Sequence, residues 1–236
     1  MKTVFHPADA RGKAYHGWLK SRHSFSFAQY YDPERMGFGA LRVLNDDEVA
    51  PGMGFDTHPH RDMEIVSIPL SGDLKHADSM GHSDVIREGD IQLMSAGTGI
   101  LHSEYNASKE DPVQFLQIWV IPEKQGVKPR YERKSIRDLI TPNEFTPLIS
   151  PDQRDSGMFL HQNTTFFWGE FTESTQVKLA LSAAKQGLYV FVVSGSAEIA
   201  EQPLGERDAM GIWETEELEI KAESGSRILA IEIPMQ

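Results

Sequence analysis

The chain reads as an all-β protein built from two related barrels, and three features of the sequence predict this. Short apolar segments bounded by Gly, Pro, Asn or Asp fill most of the 236 residues, which is the pattern of sandwiches and barrels. Long runs with the 3.6-residue apolar period of an amphipathic helix are hard to find. A third sign is a pattern that occurs twice, strand, glycine turn, strand, acidic turn, strand, as expected of a duplicated unit.

In chain order the expected strands are Ala40–Leu44, Met63–Leu70, Ile91–Met94 and Gln114–Ile121, then Leu188–Val193, Ala209–Trp213 and Arg227–Ile233. The repeat aligns Ser71-Gly72 with Ser194-Gly195. It also aligns Glu88-Gly89-Asp90 and the strand after it with Glu206-Arg207-Asp208 and its own following strand. One short helix is expected at Ser135–Ile140, ended by Thr141-Pro142. The proline-containing stretch Pro122 to Pro151 reads as a connector rather than as strands. The boundary falls inside it, giving an N-terminal domain at 1–145 and a C-terminal domain at 146–236.

Composition narrows the function classes. At 39% hydrophobic and 25% charged residues the chain has an ordinary globular balance. Its formal net charge of −12, from 35 acidic and 23 basic residues, comes without the basic stripe that phosphate backbones require, so direct nucleic-acid binding is not expected. With no cysteine, thiolate metal sites, disulfides and cysteine nucleophiles are excluded. Neither a signal-peptide core nor a run approaching the ~20 apolar residues of a membrane span is visible. A cytoplasmic protein without membrane partners is therefore expected.

The most informative residues are two short pairs, His58-Pro59-His60 and His102-Ser103-Glu104. Side chains at i and i+2 of a strand share a face. On neighbouring strands these pairs would aim three imidazoles and one carboxylate at a single point, which is a metal site. Solvated strand residues are the plain alternative, but proline lacks a ladder donor and is a poor choice for a central strand. The second half has no such pair and only His161, near its start. One metallated and one metal-free barrel are expected.

Other candidates carry less. His76 and His82 flank Asp78 in a loop-like segment and read as solvated residues. His23, among Phe25, Phe27 and Tyr30, reads equally as core or as pocket wall. His6, His16 and His161 have no partner in sequence. Gly97-Thr98-Gly99 reads as a tight turn before His102 rather than as a phosphate loop. Phe25, Phe27, Phe38 and Phe55 lie close enough in sequence to line an apolar pocket, although core is the commoner role.

The segment Gly52 to Gly72, with His58, His60 and Glu64, resembles the first motif of the cupin superfamily with one extra residue before the last glycine. Gly89 to Asn106 resembles the second motif, with Ser95 where proline is expected and four residues instead of two before His102. Thr57-His58-Pro59-His60-Arg61-Asp62-Met63-Glu64, with Ser95 through Glu104, resembles the pirin family within that superfamily. His23 through Ala28, Leu41 through Asp47, Gln117-Ile118-Trp119 and Pro129 through Glu132 are also similar. The resemblance is close over residues 12 to 135. Beyond them it is to the short bacterial members, associated with quercetin 2,3-dioxygenase activity.

That resemblance implies a bicupin of two jelly-roll barrels, with His58, His60, His102 and Glu104 as metal ligands. Glu64, a ligand in many cupins, is not one in pirins; taken as sharing a strand face with His58 and His60, it is held in reserve as an acid behind the ligands. Iron(II) is the first choice of ion, and copper, nickel, cobalt, manganese and zinc also suit all-N/O ligation. The implied activity is dioxygenase cleavage of a flavonol such as quercetin with release of carbon monoxide, with Glu104 as base and Glu64 as its reserve. A small aromatic substrate and dioxygen are then the partners, and a monomer is expected. A non-catalytic, metal-dependent regulator with a protein partner is the alternative; a sugar-binding or sugar-isomerising cupin is a third reading.

Overall fold

A computed structural model describes residues 1–151 and 158–235. Among them the one helical element is a 3-10 turn at Ala8–Ala10, and no helix is long and apolar enough to cross a membrane. The strands of the described residues form four sheets. A seven-stranded sheet runs Arg130–Ser135, Asp90–Ser95, Glu64–Ser71, Val113–Val120, Leu41–Val49, Leu19–His23, Gly12–Tyr15 from edge to edge. A four-stranded sheet, Gly54–His60, Ile100–Asn106, Leu74–Asp78, Ser83–Ile86, shares a second apolar layer with it.

The second half repeats this plan. Its six-stranded sheet runs Lys2–His6, Ala209–Trp213, Gln186–Ser194, Ser226–Pro234, Thr165–Phe171, Phe145–Ile149. A four-stranded sheet, Thr175–Ala180, Glu217–Ala222, Ala197–Ile199, Gln202–Leu204, packs with it. The chain's first strand thus belongs to the sheet of the second half, antiparallel to Ala209–Trp213.

The sequence repeat is a structural one. Glu64–Ser71 pairs with Asp90–Ser95, and Gln186–Ser194 with Ala209–Trp213; between each pair the chain visits the small sheet. Each excursion leaves through a glycine with positive φ, Gly72 (73°) or Gly195 (79°), a conformation that disfavours any side chain. Each returns through an aspartate that caps its own turn. Arg87 N–H donates to Asp90 Oδ2 at 3.1 Å and Gly205 N–H to Asp208 Oδ2 at 2.9 Å.

The large sheets of the two halves pack face to face, and alternation sorts their side chains. From Glu64–Ser71, Val66, Ile68 and Leu70 join the central core with Tyr189, Phe191 and Ile231, while Ile65 joins a different apolar cluster with Met94. In the second half Val190, Ile228 and Ala230 fill the inner layer. A sheet covered on both faces explains why these strands read as unbroken apolar runs. Full burial of a side chain such as Phe191 contributes about 1.5–3 kcal/mol.

Two expectations are corrected. Ser135–Ile140 is not a helix but a single turn, in which Leu139 and Ile140 N–H both reach the Ile136 carbonyl. The neighbouring connector also contains two strands, Arg130–Ser135 and Phe145–Ile149. Both are sheet edges, where polar residues and Pro147 are tolerated.

Candidate metal centre

The strands carrying the two pairs are neighbours in the small sheet of the first half. Gly54–His60 runs antiparallel to Ile100–Asn106, with His102 directly opposite His58. Gly54–His60 is an edge strand, which is how the ladder accommodates Pro59. The register shifts between His102 and Glu104, a bulge of the kind that re-aims side chains beside functional sites.

Three imidazoles converge. Ring centroids lie 4.5 Å apart for His58 and His102, and 4.8 Å apart for His58 and His60 and for His60 and His102. A nitrogen of each lies within 4.8 Å of those of the others. The His58 Nδ1 lies 2.7 Å from the Asp56 carbonyl, a bond that puts the proton on Nδ1 and the lone pair on Nε2. His102 is 1% exposed, and neither of its ring nitrogens has a hydrogen-bond partner. Such buried atoms cost free energy unless something satisfies them.

Burial, reinforced by the nearby rings, pushes His102 far below the ordinary histidine value. His60 falls to about 4, first by burial and then by repulsion from His58. Neutral imidazoles with free lone pairs are the form that ligates a cation. The donor set therefore fits a divalent ion.

Glu104 lies deeper. Its Oε2 accepts from Gln117 Nε2 at 2.6 Å, and the Ser67 hydroxyl lies 2.9 Å from both Glu104 Oε1 and Gln117 Oε1. Burial raises the carboxyl to about 7 against the opposing pull of these two partners. Glu104 shares a cavity with His58 and His60, but its tightest grouping of potential ligand atoms is with His102 and His76. Two triads thus overlap at His102.

The cavity holds about 230 Å³ and is mostly apolar, walled by Phe27, Phe55 and Trp119 with Asn45, Asp47 and Gln117 as polar points. Trp119 packs edge-on against His60 and Phe27 at 4.9 and 5.4 Å. Its Nε1 and the Asn45 Oδ1 are buried without a partner. Asp47 accepts from Ser21 Oγ and is raised to about 7 by burial. His23 backs the wall, 3% exposed and 5.2 Å from the Phe27 ring. Phe25 and Phe38 lie in the central core instead.

Glu64 is not at this site. The Gly54–His60 strand ends four residues earlier, and Asp62, with φ of 47°, turns the chain into a different sheet, so the shared strand face does not exist. On its own strand Glu64 has the parity of Val66 and Ile68, which face the second half. Its Oε2 accepts from Ser95 Oγ at 2.7 Å, in the field of Arg130. His76 is likewise not a solvated loop residue. It sits fully buried on the strand Leu74–Asp78, beside His102, whereas the His82 side chain is 41% exposed.

The sequence singles out none of Ser67, Asn45, Asp47 and Gln117 as site residues, and it presents His76 as a solvated one. One signal was available for two of them. Asn45 and Asp47 share the strand parity of Val49, which packs between the two sheets of the first half, and polar residues at inward positions of an apolar strand mark a pocket.

Comparison with known proteins agrees with this architecture. The Pirin family model matches residues 4–120, and the model described as the quercetinase C-terminal cupin domain matches residues 147–233. The quercetin 2,3-dioxygenase of Escherichia coli strain K12 is 42% identical over 228 residues, covering 96% of both chains. The bacterial pirin YhhW of Escherichia coli, solved in complex with nickel(II), superposes with a TM-score of 0.94 at 40% identity over the whole of both chains. A quercetin 2,3-dioxygenase of Acinetobacter baumannii shares the fold, with a TM-score of 0.80 at 20% identity, over 99% of this chain and 79% of its own.

Proposed function

This chain belongs to the pirin family as a bicupin, and from that premise we propose that it is a metal-dependent dioxygenase cleaving flavonols such as quercetin. The N-terminal domain, 1–145 apart from the strand Lys2–His6 and Phe145 that join the second half's sheet, carries the ion on His58, His60, His102 and Glu104, and the C-terminal domain, 146–236, carries none. Iron(II) is the proposed ion; the nickel of the YhhW complex supports an all-N/O site that takes several divalent metals. When bound, such an ion would supply Lewis-acid charge that stabilises an enolate oxygen and lowers the barrier to its reaction with dioxygen.

The observation that carries the reading is the hydrogen-bonding of Glu104. As a carboxylate it accepts from the Ser67 hydroxyl and from Gln117. As a carboxylic acid it can donate to Ser67 Oγ, whose own hydrogen then turns to Gln117 Oε1 at 2.9 Å. Both Glu104 oxygens keep a partner on one side of the transfer and on the other, so Glu104 can take the flavonol 3-hydroxyl proton without being left unpaired.

The remaining residues bind and orient. Phe27, Phe55 and Trp119 offer flat apolar walls to an aromatic ring system. The unpartnered Trp119 Nε1–H and Asn45 Oδ1 offer a donor and an acceptor to ring hydroxyls. Dioxygen adds across the heterocyclic ring and one ring carbon leaves as carbon monoxide.

Protein loaded separately with iron(II), nickel(II), cobalt(II) and copper(II) is incubated with quercetin under oxygen. Carbon monoxide release by the wild type and its loss in His58→Ala are the expected results. One tightly bound ion with no turnover under any metal would refute the enzyme and favour the metal-dependent regulator.

A further inference from the structure

His76 occupies a position that the proposed reaction does not use. It lies on Leu74–Asp78, directly opposite Glu104 on the next strand, and has no solvent exposure. Its Nε2 is 3.3 Å from Asp78 Oδ2, and the same oxygen faces His82 Nδ1 at 2.9 Å. Asp78 Oδ1 accepts from the backbone N–H groups of Met80 and His82 at 2.8 and 3.1 Å. A carboxylate surrounded by donors places the His76 proton on Nε2 and the lone pair on Nδ1. That Nδ1 is buried without a partner.

The ring is also locked in place. Tyr131 stacks on His76 at 4.6 Å and 18° and on His82 at 4.7 Å and 26°. A histidine anchored to a carboxylate through one nitrogen, with the other nitrogen free, is the usual arrangement of a metal-ligating histidine. A nitrogen of His76 lies within 4.8 Å of ligand atoms on His102 and Glu104, and all three residues are buried. His102 has both nitrogens unpartnered and so can serve a cation on either side.

We propose that His76, with His102 and Glu104, forms an inner position for one divalent transition-metal ion, alternative to the outer position in which His58 and His60 complete the set around His102 and Glu104. Two imidazoles and a carboxylate favour zinc, cobalt, nickel or iron(II) there. The inner position is buried, whereas the outer one opens on the cavity through the half-buried His58 and His60. The ion thus has a sheltered station and a working one, with His102 and Glu104 common to both.

This inference rests on the metal-centre reading, and the test separates the two. Cobalt(II) is titrated into metal-free full-length wild type, His58→Ala/His60→Ala, and the same variant with His76→Ala added. Calorimetry gives stoichiometry, the cobalt absorption spectrum gives coordination, and melting curves without metal establish folding. The double variant should bind one equivalent, and adding His76→Ala should weaken that binding at least about tenfold, no less than loss of a ligand's supporting partner costs. No binding by wild type sinks both readings. Binding by wild type but not by the folded double variant, or equal binding by double and triple variants, overturns the inner position alone. Should the alanine pair not fold, His58→Gln/His60→Gln makes the same comparison.

Discussion

Replacing Glu64 by glutamine separates the motif from the structure. Glu64 is 1% exposed, and its carboxyl is raised from 4.5 to about 7, first by burial, with Ser95, Arg130 and the His161 backbone opposing. A group whose neutral form is favoured by folding contributes its full stability below the unfolded value. As pH climbs from about 4.5 to 7 the unfolded chain sheds the proton while the folded chain keeps it, and stability falls; above about 7 the loss is complete. A carboxyl moved from 4.5 to about 7 corresponds to on the order of 3 kcal/mol.

Glutamine is the neutral isostere. The difference in unfolding free energy between Glu64→Gln and wild type should therefore grow in favour of the variant by on the order of 3 kcal/mol between pH 4.5 and 8. Urea denaturation at half-unit pH steps measures it, and the other buried carboxyls cancel because both proteins contain them. Metal content and affinity should not change, since Glu64 faces the second half of the molecule. A flat difference across this window would refute the burial argument, and loss of the ion would place Glu64 among the ligands after all.

Glu104→Gln, assayed at saturating metal, should lower kcat for quercetin by about 10²–10⁴-fold; a change under twofold would remove Glu104 as the base. Trp119→Phe keeps the wall but deletes the unpartnered N–H. One neutral hydrogen bond of about 0.5–1.5 kcal/mol corresponds to a rise in KM of roughly 2- to 12-fold, and an unchanged KM would show that this group does not meet the substrate. Gly72→Ala must hold a φ of 73° with its Cβ 3.0 Å from the Pro112 carbonyl oxygen. It should lose about 1–3 kcal/mol of stability in denaturant titration, and a melting point equal to wild type would contradict the strained turn.

Much of the site was legible because its signals are local. A strand alternates faces with period two, so His58 with His60 and His102 with Glu104 announce shared faces within three residues. Glycine and aspartate turns repeat in both halves because the same excursion between sheets needs the same backbone. Local signals also misled. Glu64 is four residues from His60, yet the Asp62 turn sends it into another sheet, and parity along a sequence says nothing across such a turn. The edge strands Arg130–Ser135 and Phe145–Ile149 lacked an apolar pattern because edges can do without one.

The sequence by itself determined the all-β duplication and the identity of the three convergent histidines. Each depends on periodicity or on turn chemistry within a few residues. Only the tertiary structure decided what surrounds those histidines. Ser67 and Gln117 reach Glu104 across 37 and 13 residues, and His76 faces it from the next strand through register alone. Register between strands is fixed by which faces the packed sheets bury, a property of the assembled layers that no single segment carries.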